Sequence, residues 1–318
     1  VRGQRYLTLG AVELVRDAAG HWCVLENHFS TPEGLGQILQ VRRMLTQVCP
    51  EIFGDETIAP VAGFASSLVE TLQALSSREA PHIVLLSAGN ESPLFYEDTF
   101  LARQMGISAV LPADLLMRAG NLYLKTIRGL ERVDVIYRRT PIDGVPGLVN
   151  AVRRGAVVIA NALGAGVADN RALLRHSEAI TGYYLRENPI LRPVPTYNLG
   201  DPDQAAFALQ NREAFLFKPL HAGFAAPGRA GKTRGYSGGR APSLRQLRAN
   251  PQQFVAQELP ELMPVPCLHE GQETARPVVL RAFILDDGED CTVLPGGLTG
   301  HLEVPGGTAR GSGRRKET

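Results

Sequence analysis

The sequence predicts a mixed fold in which an α/β unit lies between two α+β units. Two observations predict it. In the middle of the chain short apolar runs alternate with helical segments, a pattern typical of a mainly parallel, doubly wound sheet. The segments on either side contain adjacent strands that suit antiparallel pairing. A chain of 318 residues is long enough to bury the cores of two or three such units.

The first predicted unit, residues 1–79, opens with a β-hairpin. Its two strands flank a polar turn at residues 17–20, and a Pro-x-Gly turn follows at residues 32–34. Helices are expected at residues 35–48 and 61–75, where apolar residues recur at helical spacing. Pro50 ends the first of these helices.

The hairpin concentrates acidic groups on one face. If Arg16 pairs with His21, Glu13 lies opposite Val24. Because side chains alternate along a strand, the face of Glu13 also holds three residues of the second strand: Val24, Glu26 and His28. Two carboxylates and an imidazole can hold a divalent cation. The alternative is an exposed sheet face with ordinary solvated charges.

The second predicted unit, residues 80–195, carries the α/β pattern. Strands are expected at residues 83–86, 109–111, 133–137 and 157–160, with helices at 94–105, 145–153 and 170–187. A hairpin turn is expected at residues 118–121, and the Pro-rich residues 189–195 mark a boundary. Ligands of doubly wound sheets bind beyond the carboxyl ends of the strands, which is where Asn90, Arg139 and Asn161 fall.

The third predicted unit, residues 196–302, is antiparallel α+β. Strands are expected at residues 214–218, 254–259, 277–285 and 291–294, the last turning at residues 295–297. Helices are expected at residues 201–210 and after the capping residue Ser243 through Arg248. The Gly- and Arg-rich residues 303–318 are expected to be disordered.

Lys218 ends a predicted strand and precedes a long glycine-rich loop at residues 219–239. An ammonium suits a polyphosphate, although a lysine at a sheet edge also snorkels towards water. Residues 226–233 satisfy a relaxed Walker A pattern, and a P-loop NTPase would need a helix opening at Lys232 and Thr233. Residues 234–239 start a helix poorly, so we favour a glycine-rich loop that covers phosphates with backbone N–H groups.

Two further segments offer binding groups. Arg281 lies in an apolar strand, and a buried arginine needs an anion, either a phosphate or a structural acid such as Asp286. The strand end formed by Gln257, Glu258 and Leu259 could present backbone groups to an adenine edge, or be an ordinary strand end.

Composition argues against several classes of partner. With 33 basic and 32 acidic residues the net charge is +1, so neither nucleic acid nor an anionic membrane is expected. No apolar run approaches ~18 residues, and no signal-peptide pattern is visible. The four cysteines are far apart, which fits a cytoplasmic protein without a zinc site or disulfide framework. Assembly with itself or with a partner enzyme stays open.

Several blocks, in this order, resemble circularly permuted ATP-grasp proteins of the second type: VLENHFSTPEG, VDVIYRR, GVPGLVNAVRRGAVVIANALGAGV, FVAQE, RPVVLRAF and VLPGGLT. The resemblance implies a doubly wound pre-ATP-grasp domain between a metal-binding lobe and a nucleotide-binding lobe. It also implies ATP with Mg²⁺, or Mn²⁺, as cofactors. The implied activity joins a small-molecule or peptide carboxylate to an amine through an acyl phosphate.

The resemblance also implies roles for single residues. Glu13, Glu26 and His28 match the metal ligands, and Lys218 and Arg281 match the groups that face the transferred phosphate. Gln257, Glu258 and Leu259 match the adenine hinge, while Asn90, Arg139 and Asn161 fall in the domain that holds the acyl substrate.

The resemblance is imperfect around the hairpin. His28 stands where the family pattern has Asn, and Ser30 stands where it has Arg. These departures keep a second hypothesis open, in which a degenerate homologue binds nucleotide or a partner without turnover.

Overall fold

A computed structural model describes residues 5–54, 58–221, 242–258, 260–269 and 271–301. Its strands, numbered in chain order, are β1 Leu9–Arg16, β2 Trp22–His28, β3 Ile83–Leu86, β4 Ser108–Val110, β5 Leu115–Arg118, β6 Asn121–Thr126, β7 Gly129–Arg132, β8 Val135–Arg138, β9 Val158–Ala160, β10 Arg192–Pro193, β11 Thr196–Asn198, β12 Phe215–Pro219, β13 Phe254–Glu258, β14 Pro264–His269, β15 Gln272–Asp286 and β16 Cys291–His301.

The α-helices are α1 Leu35–Val48, α2 Phe64–Ala74, α3 Phe95–Met105, α4 Leu148–Arg153, α5 Ser177–Leu185, α6 Pro202–Gln210 and α7 Leu244–Ala249. The Ser243 side chain accepts a hydrogen bond from the N–H of Gln246, which confirms the predicted cap of α7. Within the described part of the chain, no helix combines the length and the apolar composition needed to cross a bilayer.

The middle of the chain forms a four-stranded parallel sheet in the order β4-β3-β8-β9. Because side chains alternate along the strands, Leu85 and Tyr137 face a core that includes α1, α2 and α3. Leu86 and Ile136 face a second core that includes α4, β5 and β6. Both faces of the sheet are therefore covered, and the predicted doubly wound α/β arrangement is confirmed.

A six-stranded sheet joins the two ends of the chain. Its order is β10-β2-β1-β15-β14, and β16 also pairs with β15. Leu9 and Phe283 of this sheet share a core with Leu35, Leu68 and Leu85, so α1 and α2 pack between the two sheets. The division into three units stays a prediction, while the pairing of β1 with β15 joins parts of the predicted first and third units.

The predicted register of the hairpin is wrong. Arg16 pairs with Trp22, and Glu13 lies opposite Glu26 rather than Val24. Two one-residue shifts produce the difference. The turn pairs Arg16 with Trp22 rather than His21, and a β-bulge then makes Leu25 an extra residue on β2 with no partner on β1. A bulge leaves no clear mark on the polar–apolar pattern, so the sequence did not reveal it.

The predicted turn at residues 295–297 is also wrong, because β16 continues to His301. Ile284 pairs with Val293 and Ala282 with Gly297, so residues 294–296 bulge opposite Phe283. Pro295 has no N–H for the ladder, and a bulge is one of the places where a sheet accepts proline. Strands β7, β10, β11 and β14 were not predicted, and residues 226–233 and 303–318 lie outside the described residues.

A small antiparallel sheet in the order β11-β13-β12 carries Gln257 and Lys218. Lys218 lies opposite Val255, and Gln257 lies two residues farther along the same strand. The two polar side chains therefore share one face of this sheet with Val255. Both are buried, and they face the bulged strand β2, as the contacts below show.

Candidate metal and phosphate site

The site begins as a row of side chains across the six-stranded sheet. Glu26 on β2 lies opposite Glu13 on β1, and Glu13 lies opposite Arg281 on β15. Directly opposite residues in antiparallel strands point to the same face, so the register alone brings two carboxylates and a guanidinium together. All three are buried, which makes their mutual charge interactions strong.

Glu13 is fully buried and has two unlike carboxylate oxygens. Its Oε1 accepts a hydrogen bond from Arg281 Nη2 at 2.5 Å and lies 3.3 Å from His28 Nε2. Burial and repulsion by Glu26 both raise the pKa of Glu13. The hydrogen bond from His28 and the positive charges of His28 and Arg281 outweigh them, so the net effect is a lowered pKa. Within the described residues nothing hydrogen-bonds to its buried Oε2.

Glu26 has a cation on each oxygen. Its Oε1 contacts Lys218 Nζ, and its Oε2 accepts a hydrogen bond from Arg171 Nη2 at 2.6 Å. Burial alone would raise the pKa of Glu26, but the charges of Lys218 and Arg171 outweigh it and lower the pKa to about 2. Glu26 is therefore ionised throughout the neutral range.

His28 completes a compact group with the two acids. Its Nε2 lies 3.9 Å from Glu26 Oε2, in addition to the approach to Glu13. One ligand atom from each of Glu13, Glu26 and His28 lies within 4.8 Å of the others. The predicted convergence of these side chains is thus present, although the bulge rather than plain alternation produces it. The spare oxygen of Glu13 fits a divalent cation, because a buried carboxylate oxygen needs a partner.

Gln257 and Lys218 connect the small sheet to this row. Gln257 Nε2 donates to the backbone oxygen of Leu25, 2.9 Å away, at the bulge of β2. Glu258 is exposed, and its N–H donates to the oxygen of Pro195 at 2.9 Å. Leu259 lies outside the described residues. The adenine-hinge role of residues 257–259 stays a prediction.

Arg139 is buried within a set of structural bonds. Its Nε donates to Asp98 Oδ1 at 2.9 Å, its Nη2 donates to Glu97 Oε1 at 3.0 Å, and its Nη1 contacts the oxygen of Pro32. Burial lowers the pKa of Arg139, but the two acids and Tyr137 outweigh it and raise it. A substrate role for Arg139 stays a prediction, and the structure gives it the further task of anchoring the turn before α1.

Asn161 is likewise fully engaged with the backbone. Its Oδ1 accepts from the N–H groups of Thr8 at 2.8 Å and Leu9 at 3.1 Å. Its Nδ2 donates to the oxygens of Leu9 and Phe29, both at 2.6 Å. Asn161 thereby fastens the start of β1 to the end of β2. Asn90 is exposed in the loop after β3, and the substrate roles of both residues stay predictions.

Sequence reasoning missed Arg171, Glu97 and Asp98. Arg171 follows Asn170, whose side chain accepts a hydrogen bond from the N–H of Ala172. An asparagine that caps a helical segment was the available signal, because it places Arg171 at the start of that segment. Glu97 lies four residues before Leu101 and therefore on the buried face of α3. An acid on a buried helix face needs a partner, which was the clue to its pairing with Arg139.

A cavity of about 320 Å³ adjoins this row. Arg281, Glu33 and Glu97 provide its charged groups, and Leu94 and Leu298 provide part of its apolar wall. Arg281 Nη1 donates to the backbone oxygen of Glu33 at 2.8 Å, so the guanidinium lies between the cavity and Glu13. Burial raises the pKa of the Glu33 carboxyl, although nearby arginines oppose the effect.

The comparisons with known proteins agree with this architecture. The family described as circularly permuted ATP-grasp type 2 matches residues 1–300. An uncharacterised protein of Synechocystis sp. is 36% identical over 305 residues, which cover 90% of this chain and 63% of the relative. An uncharacterised protein of Mycobacterium tuberculosis strain H37Rv is 33% identical over 306 residues, which cover 92% of this chain and 55% of the relative.

A protein of Frankia casuarinae named "Putative glutamate--cysteine ligase 2-2" is 32% identical over 310 residues. The match covers 92% of this chain and 36% of that protein. The chain therefore spans between about a third and two thirds of the length of these relatives. Because the family match extends over nearly the whole sequence, the chain belongs to the circularly permuted ATP-grasp family, type 2.

Proposed function

We propose that the chain is the ATP-grasp part of an ATP-dependent carboxylate–amine ligase. The observation that carries the proposal is the buried charge row. Lys218, Arg171 and Arg281 bring three positive charges to the two carboxylates of Glu13 and Glu26. This surplus of positive charge complements a polyphosphate, while the paired acids complement a divalent cation.

Glu13, Glu26 and His28 would hold the divalent cation, Mg²⁺ in the family at large. When bound, the cation neutralises phosphate oxygens. Lys218 and Arg281 would hydrogen-bond to phosphate oxygens of ATP, in place of the contacts that they make with Glu26 and Glu13. The positive charges of Lys218 and Arg281 would stabilise the negative charge that develops when a substrate carboxylate oxygen attacks the γ-phosphorus and ADP leaves.

The second half of the reaction uses the acyl phosphate. An amine nitrogen attacks the acyl carbon, a C–N bond forms, the C–O bond to phosphate breaks, and the proton that the nitrogen loses leaves with the phosphate or to solvent. Arg281 lies at the wall of the cavity of about 320 Å³ and can hold the departing phosphate there. The Frankia casuarinae relative, of which this chain matches 36%, bears the name "Putative glutamate--cysteine ligase 2-2". That name supports the reaction class and leaves the substrates open.

A second candidate is a homologue that binds nucleotide or a partner without turnover. The specific observation behind it is Ser30, whose backbone and hydroxyl oxygens both accept from Arg138 Nη2 at 3.2 Å. The family pattern has an arginine at the position of Ser30. The chain therefore supplies one positive charge fewer at this loop than the pattern calls for.

One experiment separates the two candidates. The thermal midpoint is measured with ATP and Mg²⁺, and phosphate release from ATP is then measured with a panel of amino acids and with hydroxylamine as amine. The ligase predicts a raised midpoint and phosphate release that depends on the amine. Lys218→Met should abolish that release. A raised midpoint with no release for any pair favours the binding protein.

A further inference from the structure

The identity of the metal follows from the chemistry of the three ligand atoms. Two carboxylate oxygens suit any hard divalent cation, including Mg²⁺. The third atom is His28 Nε2, which lies 3.3 Å from Glu13 Oε1 and 3.9 Å from Glu26 Oε2. Imidazole nitrogen is a ligand of first-row transition ions, whereas Mg²⁺ prefers oxygen and gives up its water reluctantly.

His28 is held in this position by the sheet. It lies opposite Ala11 on β1, two residues beyond Glu26 on the same strand and therefore on the same face. Its side chain is 15% exposed, and the Nε2 atom is buried. The β1–β2 pairing fixes the backbone of His28 beside both acids, so a cation held by both carboxylates lies within reach of the imidazole.

We infer that this site selects a first-row transition ion such as Mn²⁺ over Mg²⁺, and that His28 is the residue that sets the selectivity. The inference rests on the proposed metal role of the site and names the class of cation. The selectivity can be measured by metal binding alone, without catalytic turnover.

The direct test is spectroscopic. Mn²⁺ is added to the protein, alone and with the non-hydrolysable analogue AMP-PCP, and electron spin echo envelope modulation is recorded. Coordination by His28 predicts ¹⁴N modulation from an imidazole. His28→Asn, which offers an amide oxygen instead, should lose the modulation. His21→Asn should keep it, because His21 lies in the hairpin turn and its side chain is 77% exposed.

Competition supplies the second measurement. Displacement of bound Mn²⁺ by Mg²⁺ gives the ratio of the two affinities. The preference for Mn²⁺ should fall by about tenfold or more in His28→Asn. His28→Asp, which supplies a carboxylate oxygen, should shift the preference in the same direction and serves if the asparagine variant fails to fold.

The outcomes separate this inference from the proposed function. Bound Mn²⁺ without ¹⁴N modulation, an unchanged preference in the His28 variants, or no Mn²⁺ binding under either condition overturns the inference. If AMP-PCP binds with a metal that shows no nitrogen coupling, the ligase proposal survives and the inference fails. If the nitrogen coupling appears but no nucleotide binds, the inference holds and the ligase proposal fails.

Discussion

Glu13 and Glu26 lie directly opposite each other on neighbouring strands, both buried, and each contacts a different basic residue. Like charges so placed repel each other, and the pair persists because Arg281 neutralises Glu13 while Lys218 and Arg171 neutralise Glu26. The arrangement places two carboxylates and three basic side chains in one buried cluster.

Removing the charge of Glu26 should destabilise the protein. In Glu26→Gln, Lys218 and Arg171 remain buried without their anion, and breaking a buried ion pair in this way costs about 3–5 kcal/mol. Urea unfolding at neutral pH measures the change. The double variant Glu26→Gln with Lys218→Met should recover part of the loss, and a double variant as unstable as the two changes added together would contradict the pairing.

Glu26 should also make the free energy of unfolding depend on pH in the acidic range. The folded-state pKa of Glu26 is lowered from 4.5 to about 2, so its contribution is complete above 4.5 and is lost as the pH falls towards 2. A fall of that size corresponds to roughly 3 kcal/mol. Unfolding free energies measured between pH 6 and pH 2 should therefore decline more steeply in the wild type than in Glu26→Gln. Equal slopes would contradict the assignment.

Much of the fold was predictable because it follows local patterns. The apolar run of β3 and the spacing of α1 gave the bounds Ile83–Leu86 and Leu35–Val48 as the structure has them. The sequence places Gly34 in a Pro-x-Gly turn. The structure shows why glycine suits that position, because φ is +101° and a Cβ would lie 2.9 Å from Leu298. The pairing of β1 with β15 joins residues some 270 positions apart, and no local pattern encodes it.

The sequence draws attention to the residues of the charge row, whereas their contacts with one another could not be read from it. Glu13, Glu26 and His28 stand out as polar residues in an apolar hairpin, and Lys218 and Arg281 stand out on their strands. Their pairing depends on the bulge at Leu25 and on sheet register, which sequence periodicity cannot resolve.

Asn161 offers a test of structural against substrate roles. Its side chain satisfies the N–H groups of Thr8 and Leu9 and the oxygens of Leu9 and Phe29. Asn161→Ala should therefore lower the free energy of unfolding by at least about 3 kcal/mol. The exposed Asn90→Ala should change it by less than about 0.5 kcal/mol. A stable Asn161→Ala protein with weakened substrate binding alone would favour the substrate role.

Arg139 should not tolerate lysine. A lysine cannot bond to Asp98, Glu97 and the Pro32 oxygen in the planar geometry of a guanidinium. We expect Arg139→Lys to lose about 3 kcal/mol in urea unfolding. The matched change Arg153→Lys, at the exposed end of α4, should be nearly neutral. Equal stability of the two variants would show that the buried bonds of Arg139 contribute little.

We expect the Glu13–Glu26 row to bind a nucleotide together with a divalent cation. Isothermal titration calorimetry of AMP-PCP, with and without Mg²⁺ or Mn²⁺, tests it most directly in the wild type and in Glu26→Gln. Nucleotide binding should require the metal and should weaken by about a hundredfold or more in the variant. Metal-dependent binding of unchanged affinity in Glu26→Gln would contradict it.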